Sequence, residues 1–179
     1  MRPSHALRAC LCGWLALGVL AAAAAAGPER AVKAAFLLKF PSYVEFAGGG
    51  PAAGEPLVIG VVGAVDIGAE LAQLAARGGA ARPVVVRTLR AGDALAGVHV
   101  LFVGDAEADH AARLLRAAAR QGALSVSESD GALREGSVLN FRLVDGRVRF
   151  EVSLEAAERA NIKLSSRLLS VAYLVQKAD

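Results

Sequence analysis

Cysteine is almost absent from this 179-residue chain, and its two copies, Cys10 and Cys12, both fall in the first 26 residues. Those residues have the layout of a cleavable secretory signal. A basic start with Arg2 and Arg8 leads into an apolar run from Leu11 to Leu20, then an alanine tract with Ala24 and Ala26 before Gly27. A chain cleaved there has no disulfide, no thiolate nucleophile and no cysteine-based metal site. A lipoprotein needs its cysteine just after the apolar run, whereas Cys10 and Cys12 precede it. The stretch from Leu11 to Ala26 approaches the ~18 apolar residues of a spanning helix, but the three-part signal layout accounts for all of it. The expectation is a signal peptide over 1–26, one domain over 27–179, and export to the periplasm.

An excess of charge is missing too. The leader holds two of the 20 Lys/Arg and none of the Asp/Glu, leaving 18 bases against 17 acids. A near-neutral exported domain is a poor nucleic-acid binder. Histidine is scarce: beyond the leader only His99 and His110 remain, with no cysteine and no His or carboxylate pair at ligand spacing, so neither a metal nor a cofactor is expected. The plainer reading of each is a packed or solvated histidine. Gly60, Gly63 and Gly68 lie where a strand feeds a helix, yet match neither G-x-G-x-x-G nor a Walker loop; tight packing of the turn explains them. Ser125, Ser127 and Ser129 have no nucleophile elbow around them. Asp105, Glu107 and Asp109 read as a solvated first helical turn. No catalytic set assembles, and the chain is read as a non-enzyme.

What is present is a regular alternation. Val32, Phe36, Phe40 and Tyr43 share a helical face over Glu29 to Phe46, where Pro41 kinks or ends the helix and leaves Tyr43 to Phe46 as a short continuation. Leu57 to Val62 reads as a strand, followed by Asp66 as N-cap of a helix bearing Ile67, Leu71, Leu74 and Ala75. Val84 to Val86 and Val98 to Val103 read as buried strands. Asp105 then opens a helix with Ala108, Ala111, Leu115 and Ala118 on one side, and Leu124 begins another strand. Strands alternating with helices predict an α/β fold: a single compact three-layer domain with a mostly parallel sheet, flanking helices and an antiparallel C-terminal hairpin. Leu154 to Ala160 reads as a helix ended by a left-handed Asn161, and Ser165 or Ser166 caps a last helix with Leu168, Leu169 and Ala172.

The hairpin turns at Asp145-Gly146, a dipeptide suited to a type I′ turn. A two-residue loop sets Val144 opposite Arg147, Leu143 opposite Val148, Arg142 opposite Arg149, Phe141 opposite Phe150 and Asn140 opposite Glu151. Leu139, Phe141, Leu143, Val148, Phe150 and Val152 then face the core, and Asn140, Arg142, Arg147, Arg149 and Glu151 face water or a partner. Opposed arginines repel by roughly a few tenths of a kcal/mol, which Glu151 partly offsets. This polar face is the candidate site for an anionic ligand or an acidic partner.

Several blocks resemble the YfiR-like (YfiR/HmsC) family of periplasmic signalling regulators. They are Val32 to Phe40 with Tyr43 to Phe46, Ile59 to Gly63, Gly97 to Val103, Leu139 to Phe141, Val148 to Ala157 and Leu164 to Leu169. The resemblance implies a dimer-forming, non-enzymatic regulator that restrains an inner-membrane diguanylate cyclase, and thereby cyclic di-GMP and biofilm formation. It also implies relief of that restraint by an outer-membrane lipoprotein. A sensor kinase is the alternative membrane partner, and a periplasmic small-molecule binding protein, using the carboxyl ends of the strands, is the alternative function. Exposed Leu168, Tyr173 and Leu174 are interface candidates, with core packing the plainer reading for Leu168 and Leu169.

Overall fold

The computed structural model describes residues 27–48, 50–78 and 82–177, so the expected signal peptide lies outside the described residues. Among them, no helix is long and apolar enough to cross a membrane. Helix α1 (27–39) ends in a 3-10 turn, Phe40–Tyr43, with Pro41 near its start. Tyr43 to Phe46 does not continue the helix, contrary to the sequence expectation. Val44–Phe46 is strand β1, whose backbone pairs antiparallel with β8 (Ile162–Leu164).

The main sheet joins seven strands: β2 (Leu57–Val62), β3 (Val84–Leu89), β4 (Val100–Val103), β5 (Leu124–Ser127), β6 (Leu139–Val144), β7 (Arg147–Ser153) and β9 (Leu174–Gln176). They lie in the order β3-β2-β4-β5-β6-β7-β9. The run from β3 to β6 is parallel, β7 returns antiparallel to β6, and β9 runs parallel to β7. All five predicted hairpin pairs are present. Asp145 (φ 49°) and Gly146 (φ 70°) both take the positive φ that a type I′ turn requires.

Each face of the sheet buries its own apolar set. On one, Ile59, Val61, Phe102, Val126, Phe141 and Phe150 meet α1, helix α2 (Val65–Ala76) and helix α5 (Leu154–Arg159). On the other, Val62, Leu101 and Val103 meet Ala111, Leu114, Leu115 and Ala118 of helix α3 (Ala108–Arg120). Five of the six phenylalanines stack together: Phe36, Phe40, Phe102, Phe141 and Phe150, with ring centroids 5.2–6.1 Å apart. Aromatic pairs at such spacing add to burial, so this cluster ties α1 to the hairpin.

Local signals were mostly right and sometimes displaced. Asp66 is not the N-cap of α2; Ala64 is, and the Asp66 carboxylate in the first turn accepts from the Ile67 N–H at 2.9 Å. A 3-10 turn, Asp105–Glu107, precedes α3. Ser153 caps α5 by accepting from the Ala156 N–H, Asn161 is left-handed at φ 53°, and Ser165 caps helix α6 (Ser166–Ser170). Ala172 falls beyond the end of α6, and the short helix α4 (Ala132–Glu135), β8 and β9 were not predicted.

Candidate functional site

The hairpin's polar face divides into three environments. Asn140 does not face water or a partner: it is 1% exposed, because β5 pairs alongside β6 and sets Ser127 next to it. Its side-chain N–H donates to Glu151 at 3.5 Å, and its carbonyl oxygen accepts nothing among the described residues. Arg142 pairs with Asp130 and, at 3.9 Å, with Glu151, and the Asp130 hydrogen bond is the main reason its pKa is raised. That pairing offsets the repulsion from Arg149 directly opposite. Arg147 and Arg149 stand apart from this network, exposed and without an ion pair among the described residues. They line a hollow of about 590 Å³ with Val144, Val171 and Tyr173.

On the opposite side of the hairpin one expectation fails. Leu143 does not pack on the core but is 60% exposed, because it lies beside the turn, beyond the cover of the helix layer. Phe141 and Phe150, one pair further in, are buried as expected.

At the carboxyl ends of parallel strands, where α/β folds usually take ligands, the crevice between β2 and β4 is packed shut, while a hollow of about 430 Å³ lined by Lys33, Asp105, Glu128 and Asp130 lies at the ends of β4 and β5. A Cβ on Gly104 would lie 2.6 Å from the Gly63 carbonyl oxygen, and one on Gly63 would lie 2.6 Å from the Glu107 side chain. The strand-end glycines therefore serve close packing. Helix α1 adds charges beside it. Arg30 reaches Asp66 at 3.5 Å, and Lys33 lies between Glu29 (2.5 Å) and Glu128 (2.7 Å) with 13% of its side chain exposed. Burial lowers the Lys33 pKa, but its hydrogen bonds to Glu128 and Glu29 outweigh that and leave it raised. His99 is structural: Nδ1 accepts from the Val58 N–H at 3.0 Å. His110 lies 2.8 Å from Glu107 on the surface. Ser125 accepts from the Val138 N–H, and Ser127 donates to the Val103 carbonyl. No group of three His, Cys, Asp or Glu capable of holding a metal occurs among the described residues.

A further hollow was not foreseen. It is an apolar groove of about 730 Å³ between α1 and α6, lined by Val32, Phe36, Tyr43, Phe150, Leu168 and Val171 among others. Val32, Tyr43 and Val171 are exposed at 41%, 39% and 65%, although Phe40 on the same α1 face is buried. The groove meets the arginine hollow at Val171, which lines both. Tyr173, which lines the arginine hollow, and Leu174 are exposed as the sequence suggested, whereas Leu168 is buried. An apolar centre edged by Arg147, Arg149 and Arg167 has the anatomy of a protein-binding surface.

A family model described as YfiR/HmsC-like matches residues 30–173, which include both hollows, most of α1 and every strand of the main sheet except β9. The chain belongs to the YfiR/HmsC-like family. This family consists of periplasmic regulators of cyclic di-GMP signalling and is regulatory rather than catalytic. No curated protein matches the chain. Among solved structures, a conserved domain protein from Vibrio cholerae is similar in fold, with a TM-score of 0.53 at 15% identity. The match covers 66% of this chain and 54% of that one, so the chain spans about half the length of that neighbour.

Proposed function

We propose that this chain restrains an inner-membrane diguanylate cyclase by binding its periplasmic part through the groove and the arginine hollow that meet at Val171. The observation that carries the reading is the continuity of these two hollows in a member of a regulatory family. The apolar floor supplies affinity by removing apolar area from water, and the arginines favour an acidic rim on the partner. An outer-membrane lipoprotein that occupies the same surface would relieve the restraint by competition. Packing of Gly63, Gly104 and Glu107 weighs against a solute at the ends of β2 and β4.

The test is intracellular cyclic di-GMP in the source bacterium. Deletion of the gene is expected to raise it. An exported copy restores the level, and neither a leaderless copy nor exported Val171→Asp does. An unchanged level on deletion would remove the cyclase and leave a sensor kinase as the partner to pursue.

A further inference from the structure

A second basic hollow lies elsewhere, between α3, α4 and α5. It measures about 530 Å³ and is rimmed by Arg116 and Arg120 of α3, Arg134 of α4 and Arg159 of α5, over an apolar floor of Leu115 and Ala119. Arg159 pairs with Glu155, but Arg116, Arg120 and Arg134 have no ion pair among the described residues. Glu135 is the one carboxylate on the rim. Two left-handed glycines lie beside the guanidinium groups. A Cβ on Gly131 would lie 3.2 Å from an Arg134 nitrogen, and one on Gly136 would lie 3.8 Å from an Arg159 nitrogen.

The ordinary explanation for arginine at these places is the helix dipole. Arg120, Arg134 and Arg159 stand in the last turns of their helices, where a cation is favoured. A helix end offers only about half a negative charge, and α4, four residues long, offers less. With Arg159 taken up by Glu155, the helix ends and Glu135 together still fall short of the three full positive charges of Arg116, Arg120 and Arg134. What remains is a concave site with several guanidinium forks directed by three separate elements. A carboxylate is satisfied by one such fork, whereas a phosphoryl group presents three oxygens and close to two charges. Every cation on the rim is arginine, none lysine, which suits multidentate recognition of that shape.

We infer that this hollow binds a phosphoryl group, with the organic part of the ligand over Leu115 and Ala119. The site is separate from the groove at Val171 and does not depend on the regulatory reading.

Two probes separate the sources of the phosphoryl group: glycerol 3-phosphate in calorimetric titration, and phosphatidylglycerol vesicles against phosphatidylcholine vesicles in co-sedimentation. The protein is the chain from residue 27 onward, at fixed ionic strength. Binding in either arm is expected, and Arg116→Gln with Arg120→Gln should weaken it at least tenfold. Arg147→Gln with Arg149→Gln, in the other basic hollow, should leave it unchanged. Saturable binding of glycerol 3-phosphate assigns a free phosphate ester, and binding to the anionic vesicles alone assigns a lipid headgroup. No binding in either arm overturns the inference. Equal loss in both double variants also overturns it, since that is the behaviour of unspecific charge. All four arginines are exposed, and unchanged melting curves of the variants verify that the comparison is between folded proteins.

Discussion

His99 makes the stability of this domain depend on pH. Burial lowers its pKa below the ordinary 6.5, with Glu55 pulling it up and Arg82 pushing it down. Its Nδ1 must also stay unprotonated to accept from the Val58 N–H. The unfolded chain therefore takes up the proton more readily than the folded one, and the stability linked to His99 is complete above about 6.5 and lost as the pH falls below it. Melting temperatures measured from pH 8 to pH 5 are expected to fall for the native chain and to fall less steeply for His99→Asn, whose oxygen can replace Nδ1. A parallel fall in both would show that His99 is not the titrating group. Lys33 carries a second residue-scale prediction. Lys33→Met leaves Glu128 mostly buried beside Glu29 without a cation, and should cost roughly 1–3 kcal/mol in urea unfolding. Both roles escaped sequence reading: a lone histidine and a lone lysine look the same whether or not a distant Val58 N–H or Glu128 lies beside them.

At the scale of elements the hairpin from Leu139 to Ser153 was legible almost completely. Its period of two and its Asp-Gly turn are local, so pairing and facing follow without knowledge of the rest. Gly146→Val forces a β-branched residue to φ near 70° and should destabilise by about 1–2 kcal/mol, read as a lower urea midpoint with an unchanged slope. Phe141→Ala opens the aromatic cluster and should cost about 3–5 kcal/mol in the same assay. A smaller loss than for Gly146→Val would mean that the cluster does not hold α1 to the hairpin. Strands β1, β8 and β9 were illegible because three residues carry no period. Val44–Phe46 looked like more helix until Ile162–Leu164 was seen to pair with it.

For the whole molecule, the prediction concerns the surface around Val171. Arg147→Glu with Arg149→Glu should leave the melting temperature within a few degrees of native, since both side chains are exposed and lack ion pairs among the described residues. The same variant should lose most of its restraint of cyclic di-GMP in the deletion strain, because it reverses the charge offered to an acidic rim. Full restraint by the variant would remove the arginine hollow from the interface. Of the five site residues drawn from the sequence, Arg147 and Arg149 line the hollow, Arg142 and Glu151 pair with each other, and Asn140 is buried. The groove that completes the surface was hidden in plain apolar periodicity. Val32, Phe36, Phe40 and Tyr43 share a face, and no local pattern says which of them another element covers.

From the amino-acid order alone follow the α/β class, the parallel sheet with its antiparallel return, the hairpin register, the left-handed Asn161 and a cap at Ser165 or Ser166. These rest on periodicity, turn chemistry and capping, interactions that act within about ten residues. Only the tertiary structure decided that Asn140 is inside, that Gly63 packs against Gly104 at the ends of β2 and β4, and that the groove and the arginine hollow meet at Val171. Each depends on which distant segments come to lie side by side, and whether a side chain is buried or left open is settled by the neighbour that packs over it.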